Sequence, residues 1–260
     1  MNLALWYPCR DVAISVETLP YPYGRCHIRR DVALQRLYRW VVITNYVNFM
    51  LIDIFHDTAC PWCRIGKKYL FDALSQWQGE AVTIRWQPFL LDDTIPTQGI
   101  DFRTFMMKRK GIGESQLSQL FSYAKQAGEV AGVKLDFNNI PLAVNTTLSH
   151  RLIALTPAEH QNAVVEAVYQ AYFEDGLNIG DVETLVSLAQ NFGFSDRQLR
   201  AQLHGNAALA EVVAQSQAAR LEGISSVPFF RFNERIDVSG SQSVAVFLQA
   251  LQQASTQAVI

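Results

Sequence analysis

The sequence predicts a mixed α/β fold in which a four-stranded sheet is started as βαβ, interrupted by a block of helices and finished as ββα. Three observations lead there. Two short apolar runs with strand periods flank one helical stripe, a long stretch of helical periodicity follows, and two more short strands precede a closing helix. Strands joined by a helix lie parallel with a right-handed crossover, whereas strands joined by a tight turn form a hairpin, so the sheet is mixed.

The first strand is Leu51-Ile52-Asp53-Ile54-Phe55, a short and mostly apolar run. Pro61 suits the first position of the helix that follows and makes Cys60 its cap. Ile65, Tyr69, Leu70, Ala73, Leu74 and Trp77 supply that helix's apolar stripe, which ends near Gly79. Val82, Ile84 and Trp86 then alternate with Thr83, Arg85 and Gln87, the period of a strand with one buried face. Residues 101–222 read as almost wholly helical, with Leu117, Leu120, Phe121 and Ala124 in one stripe and Val165, Val168, Tyr169, Tyr172 and Phe173 in another. Gly176 and Gly223 are stops, Ser195 with Gln198 has capping-box spacing, and Asp181 and Asn206 are candidate caps. Residues 229–232 and 235–238 make two strands joined at Asn233-Glu234, and Val244, Phe247, Leu248 and Leu251 mark the closing helix. The expected division is therefore a sheet domain over 50–100 and 223–256, a helical insertion over 101–222, and an extension over 1–49.

That extension holds six Arg, no Lys and three acids, a charge of +3 against −5 for the remainder, and its apolar residues keep no period. Two expectations compete for it: a disordered or untranslated segment upstream of a start at Met50, or an Arg-rich presequence or partner arm. Asp11, Glu17 and Asp31 and the scarcity of Ser weigh against the second. The whole chain, 260 residues and 49% hydrophobic, is long enough to bury a large core without staples. Its net charge of −2 argues against a nucleic-acid surface. No secretory signal is expected, because the apolar run at the start is short and broken by Pro8. The apolar region 41–55 is broken by Thr44, Asn45, Asn48 and Asp53, so no membrane partner is expected either. Four cysteines are too few for a disulfide framework, which points to a reducing compartment.

Cys60-Pro61-Trp62-Cys63 carries the chemistry. Disulfide exchange needs a thiolate that attacks a foreign disulfide and a second thiol that resolves the mixed disulfide. At the helix cap, free backbone N–H groups and the positive end of the macrodipole stabilise negative charge on the Cys60 sulfur, while Cys63 lies one turn inward. Cys60 is the expected nucleophile and Cys63 the resolving thiol. A C-x-x-C is also half of a zinc site, but the remaining candidates are Cys9, Cys26 and scattered histidines, and no second close pair completes it. Pro61 fixes the helix start, and Trp62 offers an apolar surface beside the sulfur. Far along the chain, Val227-Pro228 stands at the mouth of the third strand. Most X-Pro bonds are trans. Here a cis bond is expected, facing the C-x-x-C and leaving the Val227 backbone to pair with an extended substrate.

Phe55-His56-Asp57-Thr58-Ala59 before the cysteine motif, Asn145-Thr146 with His150-Arg151-Leu152, and Gly223 with Val227-Pro228-Phe229 resemble the FrnE-like branch of the DsbA family, over residues 50–251. The resemblance implies a thioredoxin-like fold with an inserted all-helical subdomain, protein or small-molecule thiols and disulfides as partners, and a bacterial cytoplasmic setting. The superfamily also includes 2-hydroxychromene-2-carboxylate isomerases and kappa-class glutathione transferases, which generally carry serine at the place of Cys60. A glutathione-dependent isomerase or transferase, with glutathione met by Val227 and residues near Gly240, Ser241 and Gln242, is therefore the second reading. The dithiol reading needs no cofactor or metal beyond the two cysteines. Four further residues are weighed. Asp53 is a candidate for the buried acid that assists a resolving cysteine in thioredoxin-like proteins, although its spacing to Cys60 is one residue longer. His56 and Asp57 lie close enough in sequence to tune Cys60 but read first as solvated loop residues, and His150 reads as a hydrogen-bonding brace for the insertion.

Overall fold

The computed structural model describes residues 49–256. Expectations for the extension, with Cys9 and Cys26, fall outside them. In chain order the described residues form β1 (Phe49–His56), α1 (Pro61–Gln76) and β2 (Ala81–Pro88), then β3 (Ile100–Asp101), α2 (Phe102–Lys110), α3 (Glu114–Ala131) and β4 (Leu142–Ala143). The insertion continues with α4 (Thr147–Leu155), α5 (Ala158–Phe173), α6 (Val182–Ala189), a 3₁₀ turn at Gln190–Phe192, α7 (Asp196–His204) and α8 (Leu209–Leu221). The chain closes with β5 (Phe229–Phe232), β6 (Ile236–Ser239) and α9 (Val244–Thr256).

The four-stranded sheet has the order β2-β1-β5-β6, with β1 parallel to β2 and antiparallel to β5, and β5 antiparallel to β6. This is the mixed sheet read from the sequence. Four local expectations fail. The insertion is not wholly helical, because Ile100–Asp101 pairs antiparallel with Leu142–Ala143, a ladder too short to leave a period in sequence. The second hairpin strand begins at Ile236 rather than 235: Asn233 and Glu234 both take positive φ (47° and 58°), and the Arg235 N–H closes the turn onto the Phe232 carbonyl at 3.0 Å. Asp181 caps α6 by accepting from the Thr184 N–H at 2.9 Å, but Ser195 makes no cap bond. Asn206 is no cap either, since its carbonyl accepts from the Leu209 N–H and Ala208 is the N-cap of α8.

Alternation along β1 sorts the core. Met50, Ile52 and Ile54 face α1 and α9, and Phe230 and Phe232 of β5 stand opposite Ile54 and Ile52 on that face. Phe230 packs edge-on against Phe247 of α9, ring centres 4.8 Å apart. The same apolar cluster runs on into Leu117, Phe121, Tyr169, Tyr172 and Phe173 of the insertion, so insertion and sheet share one core. Phe55 and Phe229 point to the other face, where they join Phe89, Ala219 and Ile224 in a smaller cluster under α8. Gly66 lets α1 approach β5: a Cβ there would lie 2.9 Å from Pro228 Cγ and 3.1 Å from the Phe230 ring.

Candidate active site

Cys60 is the N-cap of α1, in extended backbone (φ −95°, ψ 114°), with Pro61 at the first helical position. No side chain caps the helix, and Cys60 sits at its N-terminal, positive end. The Cys60 N–H donates to the Asp57 carbonyl at 3.1 Å, and the Cys63 N–H to the Cys60 carbonyl at 3.1 Å. Both thiols are free and buried. Burial, then contact with Cys60 and the charge of Asp57, pushes the Cys63 thiol well above its ordinary pKa.

The Val227-Pro228 bond is cis, as the sequence led us to expect. The Cys60 Sγ–H is directed at the Val227 carbonyl, 3.8 Å away, while the Pro228 carbonyl accepts from the Gly240 N–H at 2.8 Å. Two stretches of chain 167 residues apart thus meet at one sulfur.

Beside Cys60 opens a cavity of about 360 Å³ whose wall includes Pro61, Trp62, Ser226 and Val227 from the sheet domain and an apolar lining from the insertion, among it Phe105, Met106, Leu120 and Phe121. Trp62 is half-buried and leans on Tyr123, with ring centres 5.6 Å apart. Arg109 stands on the rim, paired with Asp92 and donating to the Leu91 carbonyl at 3.1 Å. The structure therefore brings Cys60, Pro61, Trp62 and Val227 to one wall, with Cys63 one turn behind and the Pro228 ring against Gly66. Gly240, Ser241 and Gln242 are not part of that wall; the Gln242 side chain donates instead to the Ser239 carbonyl at 2.9 Å.

Residues 51–252 match the family described as the DSBA-like thioredoxin domain. The chain belongs to that family. Among similar proteins, the uncharacterized protein YwbO of Bacillus subtilis is 24% identical over 204 residues, 77% of this chain and 94% of the relative. A probable DsbA oxidoreductase of Streptomyces coelicolor superposes with a TM-score of 0.74 at 29% identity, covering 79% of this chain and 89% of that one. A 2-hydroxychromene-2-carboxylate isomerase shares the fold, with a TM-score of 0.60 at 17% identity over 80% of this chain and 97% of that one. Family membership supports thiol–disulfide oxidoreduction as the general chemistry of this DsbA-like chain.

The acids and histidines of the DsbA-like domain are not where sequence reasoning put them. Asp53 lies on the sheet face away from the cysteines, where Arg85 holds it through two bonds of 2.7 Å and the Gln87 amide through one of 2.8 Å. His56 and Asp57 are no solvated loop, being each 1% exposed. They and Thr58 meet the start of α4 one after another. His56 stacks edge-on against His150 with ring centres 5.0 Å apart, the Asp57 carboxyl accepts from Thr146 Oγ1 at 3.2 Å, and Thr58 Oγ1 bonds Ser149 Oγ at 2.7 Å. His56 Nδ1 also bonds Tyr169 Oη at 2.9 Å. His150 braces nothing through Nε2, since this atom, like His56 Nε2, is buried without a partner. Burial lowers the His150 pKa to about 3 and, with the nearby His150 and Lys67, lowers His56 well below its ordinary value. Extending the β1 alternation from Ile52 and Ile54 by one more step lands on His56, a signal that could have found its burial.

Among the described residues, no group of three or more His, Cys, Asp or Glu is placed to hold a metal ion, and no helix is long and apolar enough to cross a membrane.

Proposed function

We propose that this DsbA-like protein exchanges disulfides through Cys60 and Cys63, Cys60 attacking and Cys63 resolving. The observation that carries the reading is their unequal placement: Cys60 forms part of the cavity wall at the head of α1, and Cys63 is sealed one turn behind it. Raised by burial, the Cys63 thiol keeps its proton at neutral pH and leaves first attack to its neighbour. Attack forms a bond between the Cys60 sulfur and one substrate sulfur and expels the other as a thiolate. Cys63 then bonds to Cys60, releasing the second substrate thiol and leaving the protein oxidised by two electrons. Pro61, Trp62, Val227 and Pro228 form the substrate-binding surface in this reading. The Val227 backbone is positioned to meet an extended substrate, and the apolar cavity accepts a side chain or the body of a small thiol. Protein and small-molecule thiols and disulfides are the partners, and cysteine usage fits a cytoplasmic setting.

The test is single-turnover reaction of the reduced protein with dithiobis-nitrobenzoate, whose two halves leave as coloured thionitrobenzoate. With Cys9 and Cys26 replaced by Ser throughout, so that only Cys60 and Cys63 of the four cysteines remain, the parent protein releases one equivalent on attack and a second on resolution. Cys63→Ser stops at one equivalent and carries the other half as an adduct visible by mass; Cys60→Ser loses both fast phases. A Cys60→Ser protein with wild-type kinetics would sink the proposal. The apolar cavity beside Cys60 favours a second reading, a glutathione-dependent isomerase or transferase. It requires glutathione-dependent turnover of an aromatic electrophile that survives Cys63→Ser.

A further inference from the structure

We propose that the cavity beside Cys60 binds the apolar body of a small-molecule disulfide or thiol that carries an acidic group, and that Arg109 and Lys110 receive that group. The inference deepens the disulfide-exchange reading above and rests on it for the part played by Cys60.

One wall of the cavity comes from α2, and the character of that helix changes along its length. Phe102, Phe105 and Met106 have the spacing of an amphipathic helix's apolar face, and they line the cavity. Carried on by one turn, the same face reaches Arg109 and Lys110, which line it too. A helix that only covered a core would place apolar residues in that last turn; the inward face of α2 ends on two cations. Phe121 of α3 and Phe137 of the loop after it complete the apolar part. The rings of Phe102, Phe121 and Phe137 lie nearly parallel in one column, with centres 5.3 and 4.7 Å apart and interplanar angles of 9° and 7°. At about 360 Å³ the space is near the lower end of the range of ligand pockets, about 300–1,000 Å³, so it suits a ring-sized body rather than a folded segment of protein.

The cations stand where the apolar lining ends. The Arg109 guanidinium lies over the Phe105 ring, 5.7 Å from its centre. It is paired with Asp92 and donates to the Leu91 carbonyl at 3.1 Å, and a guanidinium has further N–H donors to offer beyond these two contacts. Lys110 is exposed and makes no hydrogen bond or ion pair among the described residues. The two acids of the cavity wall, Asp92 and Asp57, are already engaged, Asp92 by Arg109 and Asp57 by the Ala59 and Leu91 N–H groups and the Thr146 hydroxyl. The charged groups left to meet an entering ligand are therefore positive. A ring laid along the phenylalanine column, a carboxylate at Arg109 and Lys110, and a sulfur at Cys60 would all be served by residues of this one cavity.

The test uses the protein whose only cysteines are Cys60 and Cys63 and compares two aromatic disulfides. Dithiobis-nitrobenzoate carries a carboxylate on each ring; 4,4′-dithiodipyridine is uncharged near neutral pH. Both release a coloured product, and the rate of the first phase is read for each. Relative to the parent, Lys110→Gln lowers attack on the carboxylated disulfide about 5-fold more than attack on the neutral one, and Arg109→Gln about 10-fold more. Lys108→Gln removes a cation from the same last turn but outside the cavity wall, and it leaves the ratio of the two rates at the parent value. Leu120→Trp fills the cavity and slows both aromatic disulfides about 10-fold more than it slows the small hydroxyethyl disulfide. Equal losses in Lys108→Gln and Lys110→Gln would reduce the effect to general attraction and overturn the proposal. An unchanged ratio in both Arg109→Gln and Lys110→Gln, or uniform slowing of all three disulfides in Leu120→Trp, overturns it as well. These ratios are read on the first phase alone, so a parent protein that never releases a second equivalent overturns the dithiol reading separately.

Discussion

The two faces of the central sheet each bury an acid of the same stretch of chain, and they treat it differently. Asp53, inside β1, is held by the half-exposed Arg85 in a charged groove of about 310 Å³ that also holds Arg231 and Glu222. Asp57, just past the end of β1, is held by neutral donors among thiols, phenols and neutral histidines. The first arrangement pairs a carboxylate with a cation, and the second holds a carboxyl by neutral donors alone. Burial alone therefore does not set an acid's surroundings; the charge state of its partners does.

Neighbouring phenylalanines give the largest measurable contrast between the faces. Phe230 is fully buried on the site face against Phe247, so Phe230→Ala should cost about 4 kcal/mol, whereas half-buried Phe229 on the other face should cost about half as much. Urea unfolding of the two variants checks this, and equal losses would show that the two clusters contribute alike. Acid sharpens the contrast further. His56 and His150 stay neutral when folded but take up protons below about pH 6.5 when unfolded, so below that pH the unfolded chain binds more protons than the folded one. Stability should therefore fall from about pH 6.5 towards pH 3, by up to about 1.4 kcal/mol per pH unit for each histidine. Asp57, with its raised pKa, acts in the opposite sense. His150→Leu should flatten the decline in stability between pH 6.5 and 4, and an unchanged slope would remove His150 from the account.

On the far face, Asp53→Asn should cost about 2 kcal/mol by weakening charge-assisted bonds to Arg85, while both thionitrobenzoate phases keep their wild-type rates in the folded protein. A selective loss of the second phase would return Asp53 to the site. Smallest is Glu222→Gln, which frees one side of Arg231 while Asp237 still holds the other; a shift of about 0.5 kcal/mol or less is expected.

Local pattern made much of this visible in the sequence. The alternation of β1 and β2, Pro61 at the helix start and the spacing of the C-x-x-C follow from neighbours a few residues apart, and so does the N-cap place of Cys60. The buried polar cluster before the cysteines was hidden because its partners are distant. His56, Asp57 and Thr58 look like a polar loop until Thr146, Ser149 and His150 arrive from about 90 residues further along to bury them. The stretch Asn145-Thr146 to His150 stood out by resemblance alone, without a physical role, since no periodicity says which loop a helix end will cover.

The position of β1 also sets a timetable for a nascent chain. One of its edges pairs with nearby β2, but the other waits for β5, and the clasp of Leu51 with Asn233 spans 182 residues. At roughly 5–20 residues per second, that edge and the Cys60 sulfur stay uncovered for about 10–40 s of synthesis. Throughout that interval the chain presents an open strand and an unshielded thiol together, so a holding chaperone is expected to act between the emergence of β1 and that of β5.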